Sequence, residues 1–475
     1  MNQPIARLFG VIILLFALLI VFTSRWTVFE ASSLNNNTLN VRTLLDELKI
    51  KRGRILAADG TVLAKSVPAA GNTWGRTYPQ GRLFAQPVGF SIAAKGEAAG
   101  LEQSDGPDLR GVQTGLSSIF GQLSPRPVGD DVYTTLDPKG QRAAQQALAG
   151  QAGSVVALDP TTGAVEVMYS NPGYDDNDPP SESSITNTTF NRATQGAYAP
   201  GSTFKIVTAT AAIDSGLYTP DSLINGNSPV TISGVPLSND GDKSWGLQTL
   251  TTAMTYSINT IFAQVAEHVG RPTMTEYMKR FGFYAKPPLD YPPGQIYSSR
   301  PFAPNGKPYP PGSPNEDIGR IAIGQGGLLV TPLQMAMVAA AVANKGTLMA
   351  PRFTDKIVDQ DGRTLETIKP SVYNHVMKAS TAQEIGQMME KVVDEGTGTP
   401  AQLGNDIPFA GKTGTASVGL PGQDLTQPWF IGFAPINDPK VAIAVTVERS
   451  QGGFGGTVAA PIAKDVVQTL LAEGQ

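Results

Sequence analysis

Ser202 and Lys205 lie three residues apart, directly after Pro200 and Gly201 and before the apolar stretch 206–213. A serine hydroxyl becomes a useful nucleophile only when a base takes its proton. Residues at i and i+3 share a helix face, so a lysine amine at this spacing can reach the serine. The pattern predicts a buried helix that begins at the serine, and a hydroxyl that attacks acyl groups.

Two further motifs follow in order, Ser257-Ile258-Asn259 and Lys412-Thr413-Gly414-Thr415, which contains the single K-T-G of the chain. S-x-x-K, S-x-N and K-T-G together are a signature of serine acyl transferases. S-x-N also occurs at 33–35 and 313–315, so the motif discriminates poorly by itself. The 257–259 match is preferred because apolar residues follow it at helical spacing, whereas Pro314 lies in a proline-rich stretch.

Composition excludes several other chemistries. The 475 residues carry a net charge of −4, which gives no electrostatic reason to bind nucleic acid. No cysteine is present, so disulfides, thiolate catalysis and cysteine-ligated zinc are impossible. The only two histidines are His268 and His375, which rules out a three-histidine zinc site, and we expect both to be structural. The catalytic base must therefore be another group, and Lys205 is the candidate.

The N-terminus predicts a membrane anchor. Residues 8–24 carry no charge and are dominated by aliphatic residues and phenylalanine, between Arg7 and Arg25. This is near the lower length limit of about 17 residues for a span. The competing interpretation is a cleaved signal peptide, but the segment lacks a small-x-small cleavage pattern and Trp26 suits an interfacial anchor. Residues 1–7 are then a cytoplasmic tail, with the bulk of the protein outside the cytoplasm.

The remaining chain divides into residues 25–150, a smaller mixed domain, and residues 151–475. The smaller domain includes a predicted helix at 33–48 and a hairpin turn at Asp59-Gly60. In the larger domain, a hairpin near 153–169, strands at 429–434 and 441–447 and a closing helix at 459–472 predict one antiparallel sheet with helices, an α+β fold. The stretch 287–314 predicts a long irregular loop, either on the surface or at the rim of a substrate cleft.

The chain resembles the class B penicillin-binding proteins. Besides the three motifs, the resemblance rests on the segments 191–193, 198–202, 323–326, 331–336 and 429–435. It runs from the anchor to the C-terminus, and the compact size is most like that of the actinobacterial PbpA-type members. Residues 25–150 resemble the family's non-catalytic pedestal, although Ala57 and Ala58 stand where a charged Asp-Arg pair is usual. The resemblance implies a transpeptidase domain related in fold to β-lactamases.

Site roles follow from this resemblance and from the residue types. Ser202 is the nucleophile, Lys205 the base and Lys412 a cation that helps to deprotonate Lys205. Ser257 passes a proton to the departing amine. The expected substrate-binding residues are Asn259, Thr413, Gly414 and Thr415. Backbone N–H groups of Ser202 and Thr415 would stabilise the oxyanion. No cofactor or metal is expected.

The implied reaction crosslinks peptidoglycan stem peptides, with a D-Ala-D-Ala donor, an amine acceptor and a serine acyl-enzyme that β-lactam antibiotics also form. The resemblance implies roles in cell division and shape, with an integral-membrane glycan polymerase and division proteins as partners and no nucleic acid. Two alternatives are a scaffold protein with secondary catalysis and a D,D-carboxypeptidase. A carboxypeptidase would usually carry S-x-x-K close to the mature N-terminus, unlike this chain.

Overall fold

The apolar N-terminal segment forms a single helix in the computed structural model, which describes residues 3–25, 45–112, 128–180, 188–405, 407–418 and 423–473. This helix, Gln3–Ser24, contains an 18-residue window with a mean hydropathy of 2.9 and has no buried residue. It contains the whole predicted span and begins five positions before it. Most of the helix predicted at 33–48 lies outside the described residues.

Helices are distributed along the whole described chain. The α-helices are Gln3–Ser24, Ala85–Val88, Gly100–Ser104, Gly106–Leu109, Pro138–Leu148, Arg192–Gln195, Lys205–Asp214, Leu250–Thr255, Asn259–Val269, Arg271–Arg280, Ile318–Ile321, Pro332–Ala343, Ala379–Asp394 and Ala460–Glu473. Short two-stranded ribbons connect some of them. The paired strands are Ser91–Ile92 with Glu97–Ala98, Leu223–Asn225 with Leu247–Thr249, Val230–Ile232 with Val235–Leu237, Arg300–Pro301 with Leu328–Leu329, and Thr347–Met349 with Val372–His375.

One six-stranded sheet belongs mainly to the N-terminal part. Its strand order is Thr364–Thr367, Thr354–Val358, Asp131–Thr134, Ile55–Leu56, Val62–Ala69 and Thr73–Thr77. The predicted Asp59-Gly60 turn joins its fourth and fifth strands, with Gly60 at φ +85°. Its first two strands come from a segment more than 200 residues after the third. The predicted region 151–475 thus contributes two strands to the sheet of the preceding region.

The second sheet is antiparallel throughout, as predicted for the α+β fold. Its order is Ala410–Ser417, Leu425–Ala434, Val441–Val447, Gly153–Leu158 and Val165–Asn171, with Ser450–Gln451 paired to the second of these. All seven residues of the central strand Val441–Val447 are buried, so both faces of the sheet are covered. The closing helix Ala460–Glu473 and the helix Pro332–Ala343 both pack against this strand.

The helix after Ser202 lies in the centre of the core. All ten residues of Lys205–Asp214 are buried. Most are Ile, Val or Ala, and the threonine hydroxyls among them find backbone acceptors, such as the bond from Thr208 Oγ1 to Ala322 O at 2.8 Å. A buried polar group with a partner costs little. Burial and these hydrogen bonds therefore hold the helix in place, and with it the residues at its start.

Candidate active site

Ser202 lies in a tight turn that leads into the central helix. Residues Gly201–Phe204 form a 3₁₀ turn, and the α-helix follows directly from Lys205. Gly201 has φ +52°, and a Cβ there would lie 2.9 Å from the carbonyl oxygen of Thr415. Only glycine fits this conformation and this close approach. The turn therefore lies close to the strand that carries the K-T-G motif, and Ser202 is half-buried there.

Lys205 is fully buried and directs its amine at the S-x-N motif. Its Nζ donates to Ser257 O and to Asn259 Oδ1, each at 2.7 Å, and lies 3.1 Å from Ser257 Oγ. The sequence spacing allows this amine to reach Ser202. Among the described residues, however, the hydrogen bonds of this amine go to the second motif, because a carbonyl and an amide oxygen there are strong acceptors.

Ser257 is held in an unusual backbone conformation between the two lysines. Its φ is +60°, a region that costs a residue with a side chain of order 1–3 kcal/mol. The helix Asn259–Val269 begins two residues later. Such strain persists only where surrounding structure enforces it. Here it points the hydroxyl of Ser257 at both amines.

Lys412 reaches the same hydroxyl from the strand Ala410–Ser417. Its Nζ donates to Ser257 Oγ at 3.0 Å and to Thr413 O at 2.9 Å, and its side chain is fully buried. Burial lowers the pKa of Lys412 to about 7. The structure therefore places two lysine amines on one serine oxygen, an arrangement that two full positive charges would oppose.

Burial also lowers the pKa of Lys205 well below its ordinary value, and repulsion by Lys412 lowers it further. A neutral amine has two N–H groups and one lone pair. The two N–H groups match the two acceptors at 2.7 Å, which leaves the lone pair for a proton from a hydroxyl. Lys205 thus meets the electrostatic requirement for a base.

The K-T-G strand lies at the edge of its sheet, so one side is available for an added strand. A Cβ on Gly414 would lie 2.7 Å from Pro200 O, so glycine allows the strand to approach the Ser202 turn. Thr415 Oγ1 accepts a bond from the N–H of Gly455 at 3.1 Å. Thr413 is only 5% exposed, and its hydroxyl lies 2.6 Å from that of Thr397. Asn259 Nδ2 donates to Ser238 O at 3.3 Å.

A partly buried network outside the three motifs fixes the segment before Ser202. Tyr198 Oη donates to Glu448 Oε1 at 2.6 Å, and Arg192 Nε lies 3.1 Å from the same oxygen. Trp429 Nε1 donates to Ala199 O at 3.0 Å. Sequence reasoning noted the segments around Arg192, Tyr198 and Trp429 but missed Glu448, because no local pattern marks a lone glutamate after a buried strand.

In the described ranges, no group of three or more His, Cys, Asp or Glu residues could hold a metal ion. His268 Nδ1 lies 2.8 Å from the hydroxyl of Tyr218, and His375 pairs with Thr347 in a short ribbon. The proline-rich stretch 287–314 lines part of a mainly apolar cavity of about 1030 Å³, whose walls include none of the predicted catalytic residues.

The backbone contact behind the nucleophile provides a test of this geometry. Gly324 accepts the N–H of Gly201 at 3.1 Å, and a Cβ on Gly324 would lie 1.9 Å from Gly201 O. We expect Gly324→Ala to slow acylation of the protein by penicillin by at least about 10-fold, since a shift of 1 Å at a reacting group can cost about 100-fold. Stopped-flow measurement of acylation gives the rate.

Gly362→Ala is the matched control, because Gly362 has a similar φ of +81° but no atom within 4 Å of its added Cβ. Gly362→Ala places a side chain on left-handed backbone, as Gly324→Ala does, but it creates no contact with Gly201. Equal losses in both variants would mean that backbone strain, and not the position of Ser202, limits the rate.

Comparisons with known proteins cover the whole chain. Residues 153–468 match the family model for the penicillin binding protein transpeptidase domain, and residues 52–123 match that for the penicillin binding protein A dimerisation domain. A protein of Mycolicibacterium smegmatis named peptidoglycan D,D-transpeptidase PbpA is 32% identical over 100% of both chains. Its namesake in Mycobacterium tuberculosis is 30% identical over 99% of both.

Solved structures agree with these matches. The ceftriaxone acyl-enzyme of penicillin-binding protein A from M. tuberculosis has a TM-score of 0.79 and 28% identity, covering 90% of this chain and 100% of that one. The D,D-transpeptidase domain of a peptidoglycan glycosyltransferase from Eggerthella lenta has a TM-score of 0.77 and 30% identity, covering 90% and 99%. This chain therefore belongs to the class B penicillin-binding proteins and is similar to their actinobacterial PbpA members.

Proposed function

We propose that the chain is a peptidoglycan D,D-transpeptidase and that Ser202 is its nucleophile. Ser202 Oγ attacks the carbonyl carbon of the penultimate D-alanine of a stem peptide, an ester forms, and the terminal D-alanine leaves as an amine. An amine of a neighbouring stem peptide then attacks the ester, and a crosslink replaces it. The acyl-enzymes that penicillin-binding protein A of M. tuberculosis forms with ceftriaxone, imipenem and penicillin G support this chemistry.

The observation that carries the proposal is the shared position of two buried amines on Ser257 Oγ, beside the Ser202 turn. Neutral Lys205 takes the proton of Ser202. Ser257 lies within hydrogen-bond distance of this amine and passes the proton to the departing D-alanine. Lys412, as the neighbouring cation, favours the neutral form of Lys205.

Substrate binding follows from the edge strand. The donor peptide adds to Ala410–Ser417 as a further β-strand, with room left by Gly414. Asn259 holds the donor backbone, and hydroxyls of Thr413 and Thr415 hold the terminal carboxylate. The N–H groups of Ser202 and Thr415 stabilise the oxyanion, each by a few kcal/mol.

The N-terminal helix provides the membrane attachment of a single-pass protein. Gln3–Ser24 is long and apolar enough to cross a bilayer and has no buried residue. We place its N-terminus in the cytoplasm and the catalytic part outside, where peptidoglycan lies. An integral-membrane glycan polymerase and division proteins are the partners that we propose.

Muropeptide analysis separates this function from its two rivals. Full-length protein in lipid vesicles is incubated with pentapeptide-containing peptidoglycan strands, and the digested products are resolved by mass spectrometry. We expect D-alanine release together with crosslinked dimers, and neither with Ser202→Ala. Release without dimers would instead indicate a D,D-carboxypeptidase. Full rescue of growth in cells by Ser202→Ala would favour the scaffold role.

A further inference from the structure

Thr397 connects the second and third catalytic motifs. It lies three residues after the helix Ala379–Asp394, and its N–H donates to Thr255 O at 3.3 Å, two residues before Ser257. Its hydroxyl oxygen lies 2.6 Å from that of Thr413 in the K-T-G motif. One residue outside the signature motifs therefore contacts the segments that carry two of them.

The hydroxyls of Thr397 and Thr413 form one hydrogen-bonded pair, in which one residue is buried and the other is exposed. Thr413 is 5% exposed, whereas Thr397 is exposed to solvent. Each hydroxyl has one proton, and the bond between them uses only one of the two. The pair therefore keeps one O–H group for a further acceptor.

The surroundings of the pair favour an anionic acceptor. Lys412 Nζ donates to the carbonyl oxygen of Thr413 at 2.9 Å, which places an amine beside the same residue. Hydrogen bonds from a hydroxyl to a carboxylate are stronger than those between neutral groups. When one hydroxyl donates to another that donates to an anion, each bond polarises the next.

We propose that Thr397 determines the selectivity for acyl donors with a free terminal carboxylate. Thr397 donates its proton to Thr413 Oγ1, and Thr413 donates its own proton to the carboxylate of the donor. Thr397 is in this view a specificity-determining residue that acts through Thr413. The inference rests on the proposed function, since it requires that the donor binds along the K-T-G strand.

The test compares two ligands that differ only in the carboxylate, benzylpenicillin and its methyl ester. Second-order acylation rates are measured for full-length wild-type protein, Thr397→Val and Thr397→Ser. We expect the ratio of the acid rate to the ester rate to fall about five- to tenfold in Thr397→Val, as for the loss of one hydrogen bond between two neutral groups. Thr397→Ser should keep the wild-type ratio.

Thr399→Val is the matched control, because Thr399 is exposed in the same loop and begins the 3₁₀ turn Thr399–Ala401. The ratio of the acid rate to the ester rate in Thr399→Val should equal that of the wild type. If both ligands slow equally in Thr397→Val, or if neither changes, Thr397 serves only the shape of the loop and the inference is wrong. Failure of benzylpenicillin to acylate the wild type would overturn the proposed function itself.

Discussion

Ser202→Ala is expected to abolish the covalent adduct that the wild-type protein forms with benzylpenicillin. The hydroxyl oxygen of Ser202 is the atom that bonds to the acyl carbon, and alanine has no atom that can form this bond. Loss of the serine nucleophile in a serine protease costs about a million-fold in turnover. Intact-mass spectrometry of both proteins after incubation with the antibiotic checks the prediction. The wild type should gain the mass of one whole penicillin molecule, since the opened ring stays attached.

Ser215→Ala is the control, because Ser215 lies just after the same helix, and its exposed side chain donates to Ala212 O at 3.1 Å. It should acquire the adduct as the wild type does. An adduct that persists in Ser202→Ala would place the nucleophile elsewhere. A wild-type adduct that disappears within minutes would indicate fast hydrolysis of the acyl-enzyme, which is the behaviour of a β-lactamase.

The sequence predicted the local elements of the site better than their mutual contacts. Apolar residues at helical spacing, with a glycine at the end of each run, predicted the helices that follow Ser202 and Ser257. Both are local signals that can be recognised in the sequence. The spacing allows the amine of Lys205 to reach Ser202, but its hydrogen bonds to Ser257 and Asn259 could not be predicted. No sequence spacing can show which of several distant acceptors lies nearest, because that depends on how the helices pack.

The two strands that the larger region contributes to the sheet of the smaller region show the same limit. Alternating or apolar runs predicted the antiparallel sheet, whose central strand Val441–Val447 is buried throughout. The strands Thr354–Val358 and Thr364–Thr367, however, join Asp131–Thr134 in the other sheet. Partner choice over more than 200 residues is a property of the whole fold. The pairing of Glu448 with Arg192 and Tyr198 is non-local for the same reason.

Lys205→Met is expected to slow acylation by benzylpenicillin about 10²- to 10⁴-fold, the usual range for loss of a general base. Methionine keeps the length and apolar stem of the buried side chain, so the core can remain filled. Stopped-flow acylation measures the rate, and thermal unfolding checks that the fold survives. A loss below about tenfold would show that another group takes the proton of Ser202.

Lys412→Gln tests the electrostatic part of the same argument through pH. Acylation needs neutral Lys205, so its rate should fall as pH decreases through the pKa of that amine. Burial and the like charge of Lys412 both lower this pKa. Removing the charge raises it, so the acid limb of the rate profile should move to higher pH. Lys440→Gln removes one charge from an exposed turn and should leave the limb in place. An acid limb that stays fixed in Lys412→Gln would mean that burial alone keeps Lys205 neutral.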